Sequence, residues 1–320
     1  LNGIIRRRNI VKQLRGVVAL ALIIALMSAV LPVFGQEEPV EANLYFHDMW
    51  VRSTASAAAA QAMAGTPTPE GGAMSSVSAA YMTIANAGGV GVRLVAAETP
   101  VAGVVEIHET QMNGDVMQMR PVEGGIAVLP GEVTQLAPGG LHIMLMQLAE
   151  PLEVGQAVWL TLTFETLDEE GAPTGETFDM NIAAPVLDEA PEPGNFAFSV
   201  VWARPGEAGG VSAAYMRLLN FGAEADTLVA ASTDIAGLVE IHEMVMSNEV
   251  MQMRPLEGGV SVASGDLAML EPGGIHVMLM NLPDALAADS AFVLTLDFAS
   301  GAQIVIGVPV YDRTMQMQGM

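Results

Sequence analysis

One stretch of this chain occurs twice, and it constrains the fold more than any other feature. Residues Glu106–Met146 read EIHETQMNGDVMQMRPVEGGIAVLPGEVTQLAPGGLHIMLM. Residues Glu240–Met280 read EIHEMVMSNEVMQMRPLEGGVSVASGDLAMLEPGGIHVMLM. Every equivalent position is offset by 134 residues, with no gap. A repeat of this kind means two copies of one structural unit. His108, Met119, His142 and Met144 persist as His242, Met253, His276 and Met278.

Within each copy the pattern is that of strands. Asn113-Gly114 between β-prone residues predicts a tight two-residue hairpin turn. With that turn, paired positions sum to 227: His108 faces Met119, Thr110 faces Met117 and Met112 faces Asp115. In the second copy a Ser247-Asn248 turn sets His242 opposite Met253 and Met244 opposite Met251. Opposed residues share a face, with Cβ atoms roughly 5 Å apart. The other face carries Glu109, Gln111, Gln118 and Arg120 and is expected to be solvated. After Pro138-Gly139-Gly140, alternation places Leu141, Ile143 and Leu145 on a core face and His142, Met144 and Met146 on the opposite one.

A methionine-lined strand is ordinarily packing, and a single histidine beside it is ordinarily structural. The set is harder to read that way, because four of the five histidines fall in these motifs, each beside methionine. Thioethers are soft, neutral ligands that suit Cu(I) and serve zinc or magnesium poorly. There is no cysteine, so a blue-copper electron-transfer site, which needs a thiolate, is excluded. The expectation is one His₂Met₂ site for Cu(I) per copy, suited to holding and passing on an ion.

These residues resemble the PCu(A)C family of periplasmic copper chaperones, whose motif is His, ten residues, Met, about twenty-one residues, then His-x-Met. Here ten residues separate His108 from Met119, and twenty-two separate Met119 from His142 and Met253 from His276. Trp50, Arg52, Tyr81, Asn86, Glu106, Arg120-Pro121 and Leu136 also match, as do Trp202, Arg204, Tyr215, Asn220 and Arg254-Pro255. The resemblance implies a cupredoxin-like sandwich and delivery of Cu(I) to the dinuclear copper centre of cytochrome c oxidase, through its subunit II or an assembly factor. Met117, Met146, Met251, Met280, Met315, Met317 and Met320 are further candidate ligands. Family members usually carry one such domain, so the tandem is a departure.

The remaining segments fall around these units. Residues 1–35 combine Arg6, Arg7, Arg8, Lys12 and Arg15 with an apolar run, the pattern of a signal peptide. A membrane anchor is the rival, since the run is near the length of a span. Removing those five cations takes the formal charge from −24 to −29 and leaves no lysine. Such acidity disfavours nucleic acid and favours solubility and cations. No cysteine is present to take a lipid or form a disulfide, so stability rests on cores. Residues 41–187 and 195–312 are the expected domains, joined by an acidic, proline-rich linker at 188–194. Residues 54–76 are an insertion in the first copy alone, and 313–320 form a Met-rich tail. His47 has no counterpart and is expected at the surface.

Many short strands with Gly and Pro turns predict an all-β chain of two tandem immunoglobulin-like sandwiches after the N-terminal segment. No catalytic dyad, phosphate loop or nucleophile elbow occurs, so catalysis is not expected. Three readings compete for an exported, periplasmic or otherwise extracytoplasmic protein: a copper chaperone, a copper-sequestering protein, and a structural tandem whose Met and His only pack. Membrane contact is expected only through an uncleaved N-terminal segment.

Overall fold

The computed structural model describes residues 44–54, 77–113, 116–247 and 250–311. The N-terminal segment, nearly all of the insertion and the tail, with Met315, Met317 and Met320, lie outside the described residues. All the regular elements among the described residues are strands.

The first half contains β1 (Leu44–Arg52), β2 (Val77–Asn86), β3 (Val92–Glu98), β4 (Ala102–Asn113) and β5 (Val116–Pro121). It continues with β6 (Ile126–Val128), β7 (Val133–Leu136), β8 (Leu141–Leu148), β9 (Ala157–Leu167) and β10 (Pro173–Leu187). The second half repeats them as β11 (Phe196–Ala203), β12 (Val211–Asn220), β13 (Asp226–Ser232), β14 (Leu238–Ser247) and β15 (Val250–Pro255). It ends with β16 (Val260–Val262), β17 (Leu267–Leu270), β18 (His276–Met280), β19 (Ala291–Phe298) and β20 (Gln303–Pro309).

Each half is a two-layer sandwich. In the first, β1, β2, β8, β4 and β5 lie side by side in one layer, with β7 sharing the edge of β2. Strands β6, β3, β9 and β10 make the other. Inward residues alternate strictly along β9, where Val158, Leu160, Leu162 and Phe164 are buried. They meet Phe46, Met82, Ile84, Ile143 and Leu145 from the facing layer in one apolar core. The second half builds the same core around Phe198, Met216, Leu218, Val277, Leu279, Leu294 and Leu296.

Two details recur in both halves. Asn86 donates from Nδ2 to the carbonyls of Val90 (2.9 Å) and Val128 (3.0 Å), and Asn220 does the same to Glu224 and Val262 at the same distances. These buried amides tie turn to strand rather than serving the motif residues. Strand β1 carries a bulge between His47 and Trp50, with Asp48 at φ 51°; β11 carries its equivalent, with Val200 at φ 54°. The extra residue reverses the alternation. Phe46 and Val51 therefore both face the core, while Trp50 faces outward.

The halves join by strand pairing in both layers. Phe46 pairs with Phe198, and Ala183 pairs with Gly307. Phe46 lies opposite Ile84 as Phe198 lies opposite Leu218, and Ala183 opposite Trp159 as Gly307 opposite Val293. Equivalent residues thus meet each other, which is the signature of a two-fold contact, here within one chain. His47 is not at a free surface: its ring sits 4.9 Å from that of Phe221 in the second half, and Nδ1 lies 2.9 Å from Asp48 Oδ2. The expectation failed because the junction that covers this residue forms between segments distant in sequence.

Candidate metal centre

The outer face of the layer opposite the core carries the motif residues. Strands β4 and β8 pair so that His108 lies directly opposite His142, with ring centroids 5.9 Å apart. His242 and His276 repeat this at 6.0 Å, with nearly the same edge-on angle. His142 and His276 are buried. Nδ1–H of His142 donates to the Gly140 carbonyl at 3.0 Å, and that of His276 to Gly274 at 3.1 Å. This fixes the tautomer and leaves Nε2 with its lone pair, the arrangement usual for an imidazole that binds a metal.

The partner histidines are held the other way round. His108 Nε2 lies 2.8 Å from Glu106 Oε2, and His242 Nε2 lies 2.9 Å from Glu240 Oε2. Nε2–H donates to the carboxylate, so the lone pair falls on Nδ1. In both halves that Nδ1 is buried without a hydrogen-bond partner. A buried acceptor left unsatisfied costs about 1–3 kcal/mol. The same atom is orphaned twice, so the two halves keep an open coordinating position at one place.

Aromatic rings back the imidazoles. Tyr81 lies 6.2 Å from His142, Trp50 stacks on Tyr81 at 4.7 Å, and the Arg52 guanidinium sits 5.6 Å from the Tyr81 ring. Tyr215, Trp202 and Arg204 repeat the series beside His276. Desolvation by this cover pushes His142 and His276 below the usual imidazole pKa, although the bonds to Gly140 and Gly274 oppose it. His108 and Arg52 beside His142, and His242 and Arg204 beside His276, lower them further. Both rings are therefore neutral near pH 7, the form that can bind a metal.

The methionines occupy neighbouring rows on the same face. Met144 is opposite Glu106 on one side and Ala79 on the other, and is buried; Met278 is opposite Glu240 and Ala213 and is partly buried against the Trp202–Tyr215 cluster. Met119 and Met253 lie on the far side of the histidines, 41% and 47% exposed. Met146 and Met280 are one row further from the imidazoles than Met144 and Met278. Met251 is exposed on the outer part of its hairpin. For Met117 the structure gives only its backbone pairing with Met112.

The hairpin register differs from the expected one. His108 pairs with Pro121 and Thr110 with Met119; His242 pairs with Pro255 and Met244 with Met253. The sums are thus 229 and 497 in place of 227 and 495. The observed register sets Glu109 against Arg120 (2.7 Å) and Glu243 against Arg254 (2.8 Å), opposite charges that the predicted one would have separated. A slip of two keeps side-chain parity, so Met119 stays on the face of His108 but diagonal to it rather than opposite. The motif residues lie on the outer face of the sheet, where β4 runs past the start of β8.

Glu106 and Glu240 drew no role from sequence beyond matching the motif. Their signal was the Glu-x-His spacing, which puts both side chains on one face of a strand. Among the described residues no three His, Asp or Glu side chains form a group able to hold a metal.

The family described as "Putative lipoprotein LpqE-like" matches residues 44–172 and 196–310, and the chain belongs to that family. "Putative lipoprotein Lxx21020" from Leifsonia xyli subsp. xyli is 33% identical over 103 residues, which are 32% of this chain and 62% of that protein. The chain therefore spans about three fifths of the curated relative it matches. Among solved structures, the apo PCuAC domain from PmoF1 is similar with a TM-score of 0.32 and 22% identity, over 38% of this chain and 97% of that one. The copper-bound PCuAC domain from PmoF2 gives 0.30 and 20%, over 37% and 92%. The Cu(I) form of DR1885 from Deinococcus radiodurans gives 0.28 and 26%, over 36% and 78%.

Proposed function

We propose that this protein is an extracytoplasmic copper chaperone that carries one Cu(I) in each half. His108, Met119, His142 and Met144 hold one ion; His242, Met253, His276 and Met278 hold the other. The observation that carries the reading is the pair of facing imidazoles in each half, with a buried, unpartnered Nδ1 on His108 and on His242. Imidazole and thioether together are a neutral, soft donor set that favours Cu(I) over zinc or magnesium.

The exposures suggest an order of release. Met144 is buried and Met119 is exposed, so Met119 is the ligand that an incoming group displaces first. The His142 ring, locked by Gly140 and backed by Tyr81, leaves last. A thiolate-rich acceptor binds Cu(I) more strongly than thioethers do, so exchange one ligand at a time runs toward it. The resemblance to the PCu(A)C family implies the dinuclear copper centre of cytochrome c oxidase as that acceptor, reached through subunit II or an assembly factor. The role needs no catalytic step. It places the protein outside the cytoplasm, as the lipoprotein description of its family also suggests.

Anaerobic titration with Cu(I) against a competing chelator tests the proposal. The wild-type chain is expected to take up about two tightly bound ions, one per half. His108→Ala with His242→Ala is expected to remove both from the tight class. Unchanged stoichiometry and affinity in that variant would make the histidines packing residues and end the reading.

A further inference from the structure

The hairpin of the second half holds more sulfur than the centre uses. Strands β14 and β15 set Met244 directly opposite Met253 and Met246 directly opposite Met251. Both pairs lie on the face that carries His242, two successive rungs leading outward from it. Directly opposed residues have Cβ atoms about 4.5–5.5 Å apart. Methionine's three rotatable bonds let each rung bring two sulfurs onto one ion.

Packing does not explain three of these four side chains, Met244 alone being partly buried. Met246, Met251 and Met253 are 67%, 47% and 47% exposed, and Val250 beside them is 59% exposed. Leu, Ile or Val would serve an apolar contact as well; what four methionines add is soft donor atoms. The first half lacks the inner rung, because Thr110 stands opposite Met119. The extra sulfur therefore belongs to one half and not to the shared centre.

We infer that Met244, Met246, Met251 and Met253 form an additional Cu(I) site made of thioethers alone. It is weaker than the paired-histidine centre and feeds it, with Met253 common to both. Sulfur-only coordination at an exposed hairpin binds and releases quickly, and each step inward exchanges a thioether for the next. Protons do not compete for thioethers, so this site keeps its ligands where imidazoles are lost to acid.

The inference rests on the chaperone reading, and the experiment separates the two. The probe is Cu(I) titrated anaerobically into the full chain labelled with ¹³C at the methionine methyls, with uptake measured against a chelator. The wild-type chain is expected to bind a further, weaker ion after the tight ones, with methyl shifts at Met246 and Met251. Met246→Leu with Met251→Leu conserves volume, and is expected to abolish the weak uptake while leaving the tight ions in place. A chain with all four motif histidines replaced by alanine is expected to keep the weak uptake, at pH 5 as at pH 7. Weak uptake that survives both leucines, or its absence from the wild-type chain, would overturn the inference. The tight ions answer separately for the histidine centres.

Discussion

Across hairpin β4–β5, Thr110 faces Met119; across β14–β15, Met244 faces Met253. One row inward that difference is gone. Both halves oppose His to His, join one ring to a glutamate two residues upstream, and join the other to a glycine carbonyl. Both pack tryptophan against tyrosine behind the buried ring, at 4.7 and 4.6 Å. The imidazole pair and its partners are thus repeated in both halves, while the approach to them differs. The outer strand of the same layer diverges too: Gln135 on β7 is replaced by Met269 on β17, which is 49% exposed. The second half therefore carries two methionines, Met244 and Met269, where the first has Thr110 and Gln135, while the outer Met112–Met117 pair of the first half matches Met246 opposite Met251.

If the centres are equal, removing their supporting carboxylates must cost the same. Glu106→Gln and Glu240→Gln each weaken the anionic acceptor that holds Nε2–H and aims Nδ1. Loss of such an outer partner typically lowers metal affinity about 10–100-fold. The expectation is a loss in that range for each variant, confined to its own half, measured by chelator competition in chains whose other centre is disabled. Losses differing more than tenfold between the halves would break the equivalence.

The junction offers a sharper test of two-fold symmetry. Ala183 and Gly307 are equivalent residues that meet each other, yet only one carries a side chain. A Cβ built on Gly307 would lie 2.5 Å from the Ala183 carbonyl carbon and 2.6 Å from its oxygen. Backbone at that distance cannot step aside as a flexible side chain can. Gly307→Ala is expected to cost about 1–3 kcal/mol, in the range for overpacking, seen as a lower Tm by calorimetry. Ala183→Gly in the same chain leaves those backbone atoms in place and is expected to restore little of the loss. A double variant that regains most of the wild-type Tm would show that the strands shift to exchange the two roles, as a symmetric junction would allow.

Parts of this arrangement were legible in the residues and parts were not, for physical reasons. The fixed offset between repeats, with period-two alternation in stretches such as Ala157–Leu167, was enough for two β-sandwiches. Parity alone was enough to put His108, His142 and Met144 on one face. The hairpin register differs from the one that the strong local turn signal of Asn113-Gly114 predicts. In the observed register Glu109 meets Arg120 across the strands, a contact between segments that a local turn signal does not encode. The outward turn of Trp50 depends on the bulge at Asp48, which no local residue pattern announces. The glutamate–histidine contacts depend on side-chain rotamers, and the junction on two strand edges whose sequences say nothing about each other.

The smallest expected effect concerns acid. Burial holds His142 and His276 below the usual imidazole pKa, about 6.5 in the unfolded chain. Between the folded and unfolded values the unfolded chain binds more protons, so stability rises with pH across that window. The contribution is complete above pH ~6.5. It is lost progressively as pH falls toward the folded pKa, and below that no more is lost from these groups. The metal-free protein should therefore show a Tm that declines below pH ~6.5, before the carboxylates begin to titrate. His142→Gln and His276→Gln should each remove part of that slope, and by similar amounts, because the same causes in the same order act on both rings. A slope carried by one histidine alone would mean that the aromatic cover, Trp50 and Tyr81 against Trp202 and Tyr215, does not dry the two centres equally, and the halves would then differ at their cores as well as at their approaches.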